Sequence, residues 1–112
     1  MKTGIELIAE ERQRQINIEG YSEQHDMQHG PRVLIQAAST YLDAADLTLH
    51  SKEYDFSDRW HETNEPFYWN EVRRTWPFEQ DTFKHTTDIR DLVKAGALIA
   101  AAIDRLNNTE QE

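Results

Sequence analysis

Apolar residues recur at helical spacing near the end of the chain, from Thr87 to Leu106. Because residues three and four positions apart share a face of an α-helix, this spacing predicts one helix with a broad apolar face. That face consists of Ile89, Leu92, Val93, Gly96, Ile99, Ala100, Ile103 and Leu106. Lys94 is the only charge between Leu92 and Ile103, and small residues fill the flanks. Such a helix is normally enclosed by others, so we expect it at the centre of the fold.

Two further helices are predicted earlier in the chain. Thr3 and Glu6 have the spacing of a capping box, in which the Thr3 hydroxyl caps the first turn and the Glu6 side chain reaches back to Thr3. The helix that they open should run to about Glu19 and stop at Gly20, which suits the position after a helix. A second helix should cover Pro31–Leu49, because proline is favoured at the first helical position and apolar residues follow at helical spacing.

Residues 51–86 differ in kind, because they are rich in aromatic side chains and nearly free of aliphatic ones. Pro66, Pro77 and the interspersed charges argue against one long regular element. We expect an irregular lid or binding loop held by its tryptophans, with short helical turns around Glu65–Thr75. No stretch shows the period-two alternation of a strand. The predicted fold is all-α, a single domain over 1–112 with three or four helices and this segment between helices 2 and 3.

The last helix carries more apolar surface than two partner helices can readily cover. This excess predicts a homo-oligomer, either a dimer or a higher assembly, since symmetric dimers are the commonest oligomers. We expect the partner chain to cover the side formed by Ala95, Leu98 and Ala102, away from the main apolar face.

Composition narrows the classes of function. The chain has 112 residues and a net charge of −9, and its sequence shows no basic surface. General nucleic-acid binders need such a surface for phosphate contacts. The absence of cysteine fits a reducing compartment, and the charged N-terminal stretch lacks the apolar core of a secretion signal. The apolar run of the last helix is too short to cross a bilayer, which needs about 20 residues. We therefore expect a cytoplasmic protein with neither nucleic acid nor membrane as its partner.

Two groups of residues are candidates for binding a metal ion. His25 and His29 are four positions apart, a spacing that suits zinc if the segment is helical. Because Gly30 disfavours a helical turn there, surface histidines or a hydrogen bond between histidine and Asp26 are the simpler explanation. A magnesium site would recruit acids from several segments, since Mg²⁺ prefers carboxylates together with substrate phosphates. Those acids are Glu10, Glu11, Glu23, Asp26 and Asp91.

A third group of residues predicts a pocket for a nucleotide-like anion. Four cations on the first and last helices supply donors for phosphate oxygens. They are Arg12, Arg14, Arg90 and Lys94. Trp69, Trp76 and Phe78 supply faces on which a base can stack. The alternative is that the arginines pair with nearby carboxylates while the aromatic side chains simply cover the bundle.

Three stretches together resemble a family of small proteins found in phages and prophages. They are EERQRQINIEGYSEQHD (10–26), the pair Trp76-Pro77, and RDLVKAGALIAAAIDRL (90–106). Members are loosely similar to MazG-like nucleoside triphosphate pyrophosphohydrolases. The residues that match the family's motif are Glu11, Arg12, Arg14, Gln15, Glu19, Gly20, His25, Asp26, Trp76, Pro77, Arg90, Asp91 and Lys94. Many relatives in this family have an aspartate where this chain has Met27, and the loss of that acid weakens a metal site more than an anion pocket. Compared with the MazG-like motif itself, Arg14 stands where a glutamate is expected, which reverses the charge.

Three functions from different classes follow from these observations. The leading hypothesis is a phage-type protein that binds a nucleotide-derived metabolite without chemistry, and so counters a host defence that signals through small nucleotides. Its ligand-binding residues would be Arg12, Arg14, His25, Asp26, Trp69, Trp76, Arg90 and Lys94. The second is a magnesium-dependent pyrophosphohydrolase of MazG-like type. Its catalytic residues would be Glu10, Glu11, Asp26 and Asp91. The third is an interaction module that inhibits a host enzyme through the aromatic-rich segment. All three would act in the cytoplasm of a bacterial host.

Overall fold

The computed structural model describes the backbone of residues 1–17, 30–53 and 59–111. Side chains are described for residues 1–17, 30–51 and 66–107. The described chain forms four α-helices, namely α1 (Gly4–Asn17), α2 (Pro31–Glu53), α3 (Arg59–Arg74) and α4 (Asp88–Gln111). A short 3₁₀ turn, Gln80–Thr82, lies between α3 and α4. These residues contain no strand, and the all-α prediction is confirmed as a four-helix arrangement.

The starts of α1 and α4 are closed by threonine caps. The amide of Glu6 donates to Thr3 Oγ1 at 3.2 Å, and the Thr3 hydroxyl donates to the Glu6 carboxylate, so Thr3 caps the first turn and Glu6 bonds back to it as predicted. At α4 the amide of Arg90 donates to Thr87 Oγ1 at 3.2 Å. Both caps satisfy amides that the helix itself leaves unbonded. The predicted end of the first helix at Gly20 lies outside the described residues.

The core lies between α2 and α4, and alanine dominates both sides of it. Small side chains let two helices approach closely, so this interface closes without large fillers. The buried cluster consists of Leu34, Ala37, Ala38, Tyr41, Trp76, Ala95, Leu98, Ala101 and Ala102. Phe78 and Phe83 pack against it from the segment that precedes α4.

Helix α4 turns a different face to the core than we predicted. Ala95, Leu98 and Ala102 were expected to meet a partner chain, yet they are buried against α2. Most large residues of the predicted inner face are exposed, namely Ile89, Leu92, Ile99, Ile103 and Leu106. Val93 from the predicted face is buried. The prediction ranked the faces of α4 by hydrophobicity alone. Helix α2 presents an alanine face, and the alanine face of α4 packs against it most closely because both have small side chains.

The aromatic-rich segment is more regular than predicted. Helix α3 runs over Arg59–Arg74 with Pro66 inside it, so the expectation of only short turns in this stretch is wrong. Proline removes one hydrogen bond from a helix interior, and the remaining bonds of a 16-residue helix maintain it. Among the described residues of this segment, the irregular part is residues 75–87, apart from the 3₁₀ turn. Helix α2 likewise ends at Glu53, beyond the predicted Leu49.

Helices α1 and α3 are attached to the central pair by different contacts. Ile8 of α1 lies directly over Gly96 of α4, where an added Cβ would come within 2.6 Å of Ile8 Cδ1. The end of α3 is fastened to α2, because Thr40 Oγ1 and Thr75 Oγ1 lie 2.7 Å apart and Gln36 Nε2 donates to the Thr75 carbonyl. None of the helices in the described ranges combines the length and apolar character needed to cross a membrane.

Candidate anion-binding cavity

A cavity of about 340 Å³ opens between α1, α2, α4 and the segment 75–87. Its volume lies at the lower end of the range, about 300–1,000 Å³, that small-molecule sites occupy. The described residues that line it are Glu11, Arg14, Gln15, Tyr41, Trp76, Phe78, Asp81, Thr82, Lys84, Lys94 and Leu98. Mixed aromatic and charged walls of this kind are typical of sites for polar small molecules.

Three rings form the aromatic wall of the cavity and are held by one another. The Trp76 ring meets Tyr41 edge-on at 5.2 Å between centroids and Phe78 edge-on at 5.3 Å. Such edge-to-face pairs are favourable arrangements of aromatic rings. The Trp76 indole N–H donates to Thr82 Oγ1 at 2.9 Å, which fixes the tryptophan against the 3₁₀ turn. The segment 75–87 is therefore a rigid wall, since its tryptophan is anchored both by packing and by a hydrogen bond.

Glu11 is the centre of a buried ion-pair network on α1. Its carboxylate accepts two bonds from Arg14, at 2.9 and 2.7 Å, and one from Arg90 NH2 at 2.6 Å. Burial alone would raise the pKa of Glu11, but the bonds and charges of the two arginines outweigh burial and hold that pKa below its ordinary value. Glu11 is therefore ionised at neutral pH, and it joins α1 to the start of α4.

Gln15 follows Glu11 by one helical turn and is 4% exposed. Its Nε2 donates to Glu11 Oε2 at 3.3 Å. Its Oε1 is buried and has no hydrogen-bond partner among the described groups, although it belongs to a residue that lines the cavity. An acceptor that is buried and unsatisfied costs about 1–3 kcal/mol. Gln15 is therefore a buried polar side chain of this cavity whose acceptor oxygen is unused among the described groups.

Two lysines add positive charge to the cavity. Lys94 of α4 is half-buried, and its Nζ donates to the Lys84 carbonyl and lies 5.4 Å from the Tyr41 ring centroid. Burial lowers the pKa of Lys94, with Asp91 opposing that effect. The backbone amide of Lys84 donates to the Tyr41 hydroxyl at 2.9 Å, and Lys84 itself is exposed. The described lining carries three cations against two carboxylates, so the cavity is locally positive in a chain of net charge −9.

Behind Lys84 the chain is fixed by a buried pair. His85 Nδ1 lies 2.5 Å from Asp91 Oδ2, and the Asp91 side chain is fully buried. Burial raises the pKa of Asp91, while the hydrogen bond and charge of His85 lower it in part. Trp69 of α3 packs on His85, with 4.4 Å between ring centroids and the two rings tilted by 42°. This cluster holds the segment that carries Lys84, and none of its three residues is among the described residues that line the cavity.

The structure brings five of the predicted site residues to one cavity. Glu11, Arg14, Trp76, Phe78 and Lys94 line it, and Arg90 is bonded to Glu11. Arg12 lies near Asp104, with 3.6 Å between Nη2 and Oδ2, and Arg14 is bonded to Glu11, so the carboxylate-pairing alternative describes both arginines. Trp69 packs on His85. The predicted residues His25, Asp26 and His29 lie outside the described residues.

Of the five acids of the magnesium hypothesis, Glu23 and Asp26 lie outside the described residues, and the other three do not converge. Glu10 pairs with Lys2 on the exposed side of α1, at 2.6 Å. Glu11 is bonded to two arginines and Asp91 is bonded to His85. In the described ranges no three Asp, Glu, His or Cys side chains are grouped as a metal site requires. These residues therefore do not fit the octahedral carboxylate set of a magnesium enzyme.

Several lining residues were not predicted to belong to the site. Gln15 was named only as a motif residue of the phage-type resemblance, although it lies four positions after Glu11 and so shares its helix face. Tyr41 was assigned only to the apolar face of α2. Lys84 is held at the cavity by a bond to Tyr41, 43 positions away, for which the local sequence gives no signal. Thr82 is held there by Trp76, six positions before it, through a bond that no recognised local motif predicts.

Comparisons with protein-family profiles, with curated proteins and with solved structures found no match to this chain. Its function has to be argued from the site itself, because a fold class alone does not identify an activity.

Proposed function

We propose that this protein binds a small anionic metabolite of nucleotide type in the cavity between α1, α2, α4 and the segment 75–87. The observation that carries the proposal is the conjunction of a positive lining with an aromatic wall inside an acidic protein. Arg14, Lys84 and Lys94 supply charge for a phosphate, and Trp76 with Phe78 supplies a surface for a flat base.

In this proposal the protein binds its ligand and does not change it chemically. A hydrolase of MazG-like type needs carboxylates directed at one metal. The described acids of that hypothesis instead pair with other side chains: Glu10 with Lys2, Glu11 with two arginines and Asp91 with His85. A rigid aromatic wall and a fixed ion-pair network favour tight holding of a ligand. By the phage-type resemblance, we further propose that the bound molecule is a signalling nucleotide of a host defence, which this protein sequesters.

Thermal melting against a nucleotide panel tests the proposal. The panel contains mononucleotides, cyclic dinucleotides and ADP-ribose, each with and without Mg²⁺. A ligand at 100 times its dissociation constant should stabilise the fold by about 2.7 kcal/mol. We expect a shift that does not depend on Mg²⁺, and intact ligand should be recovered after denaturing the complex. Recovery of cleaved products would instead support the hydrolase, and the absence of any shift would contradict the binding proposal.

A pair of lysine variants checks that the binding occurs in this cavity. Lys84→Met removes a cation from the cavity lining, and we expect its affinity for the bound nucleotide to fall about tenfold, or 1.4 kcal/mol. Lys2→Met makes the same change in a lysine that pairs with Glu10, and its affinity should be unchanged. Equal effects of the two variants in a calorimetric titration would place the ligand elsewhere.

We also propose that the protein is a homodimer, joined through the exposed apolar stripe of α4. The stripe is Ile89, Leu92, Ile99, Ile103 and Leu106. Its members are three, seven, four and three residues apart in the sequence, which keeps them on one face of the helix, as in the repeat with which one helix packs along another. A second copy presents the same spacing, so the stripe is complementary to itself in a two-fold dimer.

Matched isoleucine variants test the dimer. Ile103 and Ile35 are both 52% exposed, but Ile103 lies in the stripe and Ile35 lies on α2. A lysine introduced at Ile103 would bring like charges together at the proposed interface, so Ile103→Lys should be monomeric by sedimentation. Ile35→Lys should remain dimeric. A wild-type protein that sediments as a monomer at high concentration would exclude this interface.

A further inference from the structure

Gln15 is bonded in a way that leaves one specific atom available to a ligand. Its Nε2 donates to Glu11 Oε2, and that carboxylate is held by Arg14 and Arg90. Turning the amide round would set Gln15 Oε1 against a carboxylate oxygen, two acceptors facing each other. The network therefore assigns the amide orientation. Oε1 is left as a buried acceptor without a partner among the described groups.

We propose that Gln15 Oε1 accepts a hydrogen bond from an N–H group of the ligand, and so selects nucleotides whose base carries such a donor. The inference rests on the proposed function and makes it more specific. Gln15 lines the same cavity as the three cations and the aromatic wall. A ligand that satisfies the buried acceptor gains a bond that the free protein lacks, whereas a ligand without a donor leaves the acceptor unsatisfied.

The ligand class that follows has two parts. An anionic group lies toward the side chains of Lys84 and Lys94, and a flat ring with an amino or imino N–H lies toward Gln15. Adenine offers its 6-amino group and uracil its N3–H. Pyrophosphate carries the negative charge but has no N–H donor, so its affinity should not depend on Gln15.

Calorimetric titration with matched probes tests the inference. The probes are AMP and purine riboside 5′-monophosphate, which lacks the 6-amino group, then UMP and its 3-methyl analogue, which lacks the N3–H. Pyrophosphate is the fifth probe. We expect the wild type to bind at least one donor-bearing nucleotide about tenfold more tightly than its analogue. In Gln15→Met this preference should fall below about threefold, while the affinity for pyrophosphate is unchanged.

Gln13→Met is the matched control, because Gln13 lies on the same helix and is exposed. It should keep the wild-type preference. If Gln15→Met does not fold, Gln15→Asn serves in its place, since it keeps the amide but withdraws it by one methylene. A preference that survives in the Gln15 variant overturns the inference and leaves the proposed function standing. A wild type that binds none of the five probes overturns both.

Discussion

Helix α4 packs against α2 and against α1 by two different means. Toward α2 it offers Ala95, Leu98 and Ala102, and the interface closes around small apolar groups. Toward α1 it offers Gly96, over which Ile8 lies, and Arg90, which reaches the buried carboxylate of Glu11. Small side chains fill space completely, whereas long charged side chains meet at their tips. The cavity lies where the two interfaces adjoin, with Tyr41 and Leu98 on one side and Glu11, Arg14 and Gln15 on the other.

The two interfaces of α4 have different roles: the apolar interface with α2 stabilises the fold, and the polar interface with α1 forms the site. The apolar interface gains stability in proportion to the area removed from water. The polar interface gains less stability, because the free energy needed to remove a charge from water offsets much of its attraction to a partner. Its value lies in placing charges and one unsatisfied acceptor around a cavity. Variants that weaken one interface but not the other can test this division.

The largest effect is expected in the apolar interface. Leu34→Ala removes a buried side chain from the α2 side of the core and should lower the free energy of unfolding by about 2–4 kcal/mol. Leu42→Ala makes the same change at an exposed position of the same helix, and it should cost well under half as much. Urea titrations of the two variants measure the difference. Equal losses would mean that α2 does not face α4 as described.

Much of the fold could be predicted from local sequence, and the reasons are physical. The capping box of Thr3 and Glu6 and the cap at Thr87 depend only on neighbouring residues. The face of α4 that enters the core depends on the alanines of α2, which lie far away in sequence. Helix α3 was missed because Pro66 was treated as a break, although a helix can continue past one missing bond.

The candidate site was predicted in its charges but not in its shape. Arg14 and Lys94 were recognised as cations suited to a phosphate, and both line the cavity. Arg12 carries the same charge on the same helix yet lies near Asp104. Only the tertiary arrangement distinguishes the two arginines. Lys84 enters the site because its amide bonds to Tyr41, a contact that spans 43 positions and leaves no local pattern.

An intermediate effect is expected in the polar interface. Glu11→Gln removes the charge that both Arg14 and Arg90 contact, and it should lower the free energy of unfolding at pH 7 by about 2 kcal/mol. This is below the usual cost for a buried pair, because both arginines keep partial contact with water. Glu10→Gln changes the exposed neighbour that pairs with Lys2, and it should have almost no effect.

The pH dependence of the same variant gives an independent check. Because the pKa of Glu11 is lower in the folded protein, its contribution is complete above the unfolded pKa of about 4.3 and is lost as the pH falls through the folded value. The stability difference between the wild type and Glu11→Gln should therefore be constant from pH 7 to 5 and shrink in more acidic solution. A difference that grows on acidification would show that Glu11 is not held ionised by the arginines.

The smallest effect is expected where α1 rests on α4. Gly96→Ala places a Cβ within 2.6 Å of Ile8 Cδ1 and 2.8 Å of Ile8 Cγ1, so Ile8 has to move. The clash costs about 1–3 kcal/mol, and the better helix propensity of alanine returns up to about 1 kcal/mol. We expect a net loss near 1 kcal/mol in the free energy of unfolding. Gly4→Ala is the control, since nothing lies within 4 Å of its added Cβ, and it should be neutral or slightly stabilising.

Because Ile8 is on the helix that carries Glu11 and Gln15, Gly96→Ala should also weaken nucleotide binding, whereas Gly4→Ala should not. A stabilised Gly96→Ala with normal binding would mean that the close approach of α1 to α4 is not what positions the cavity.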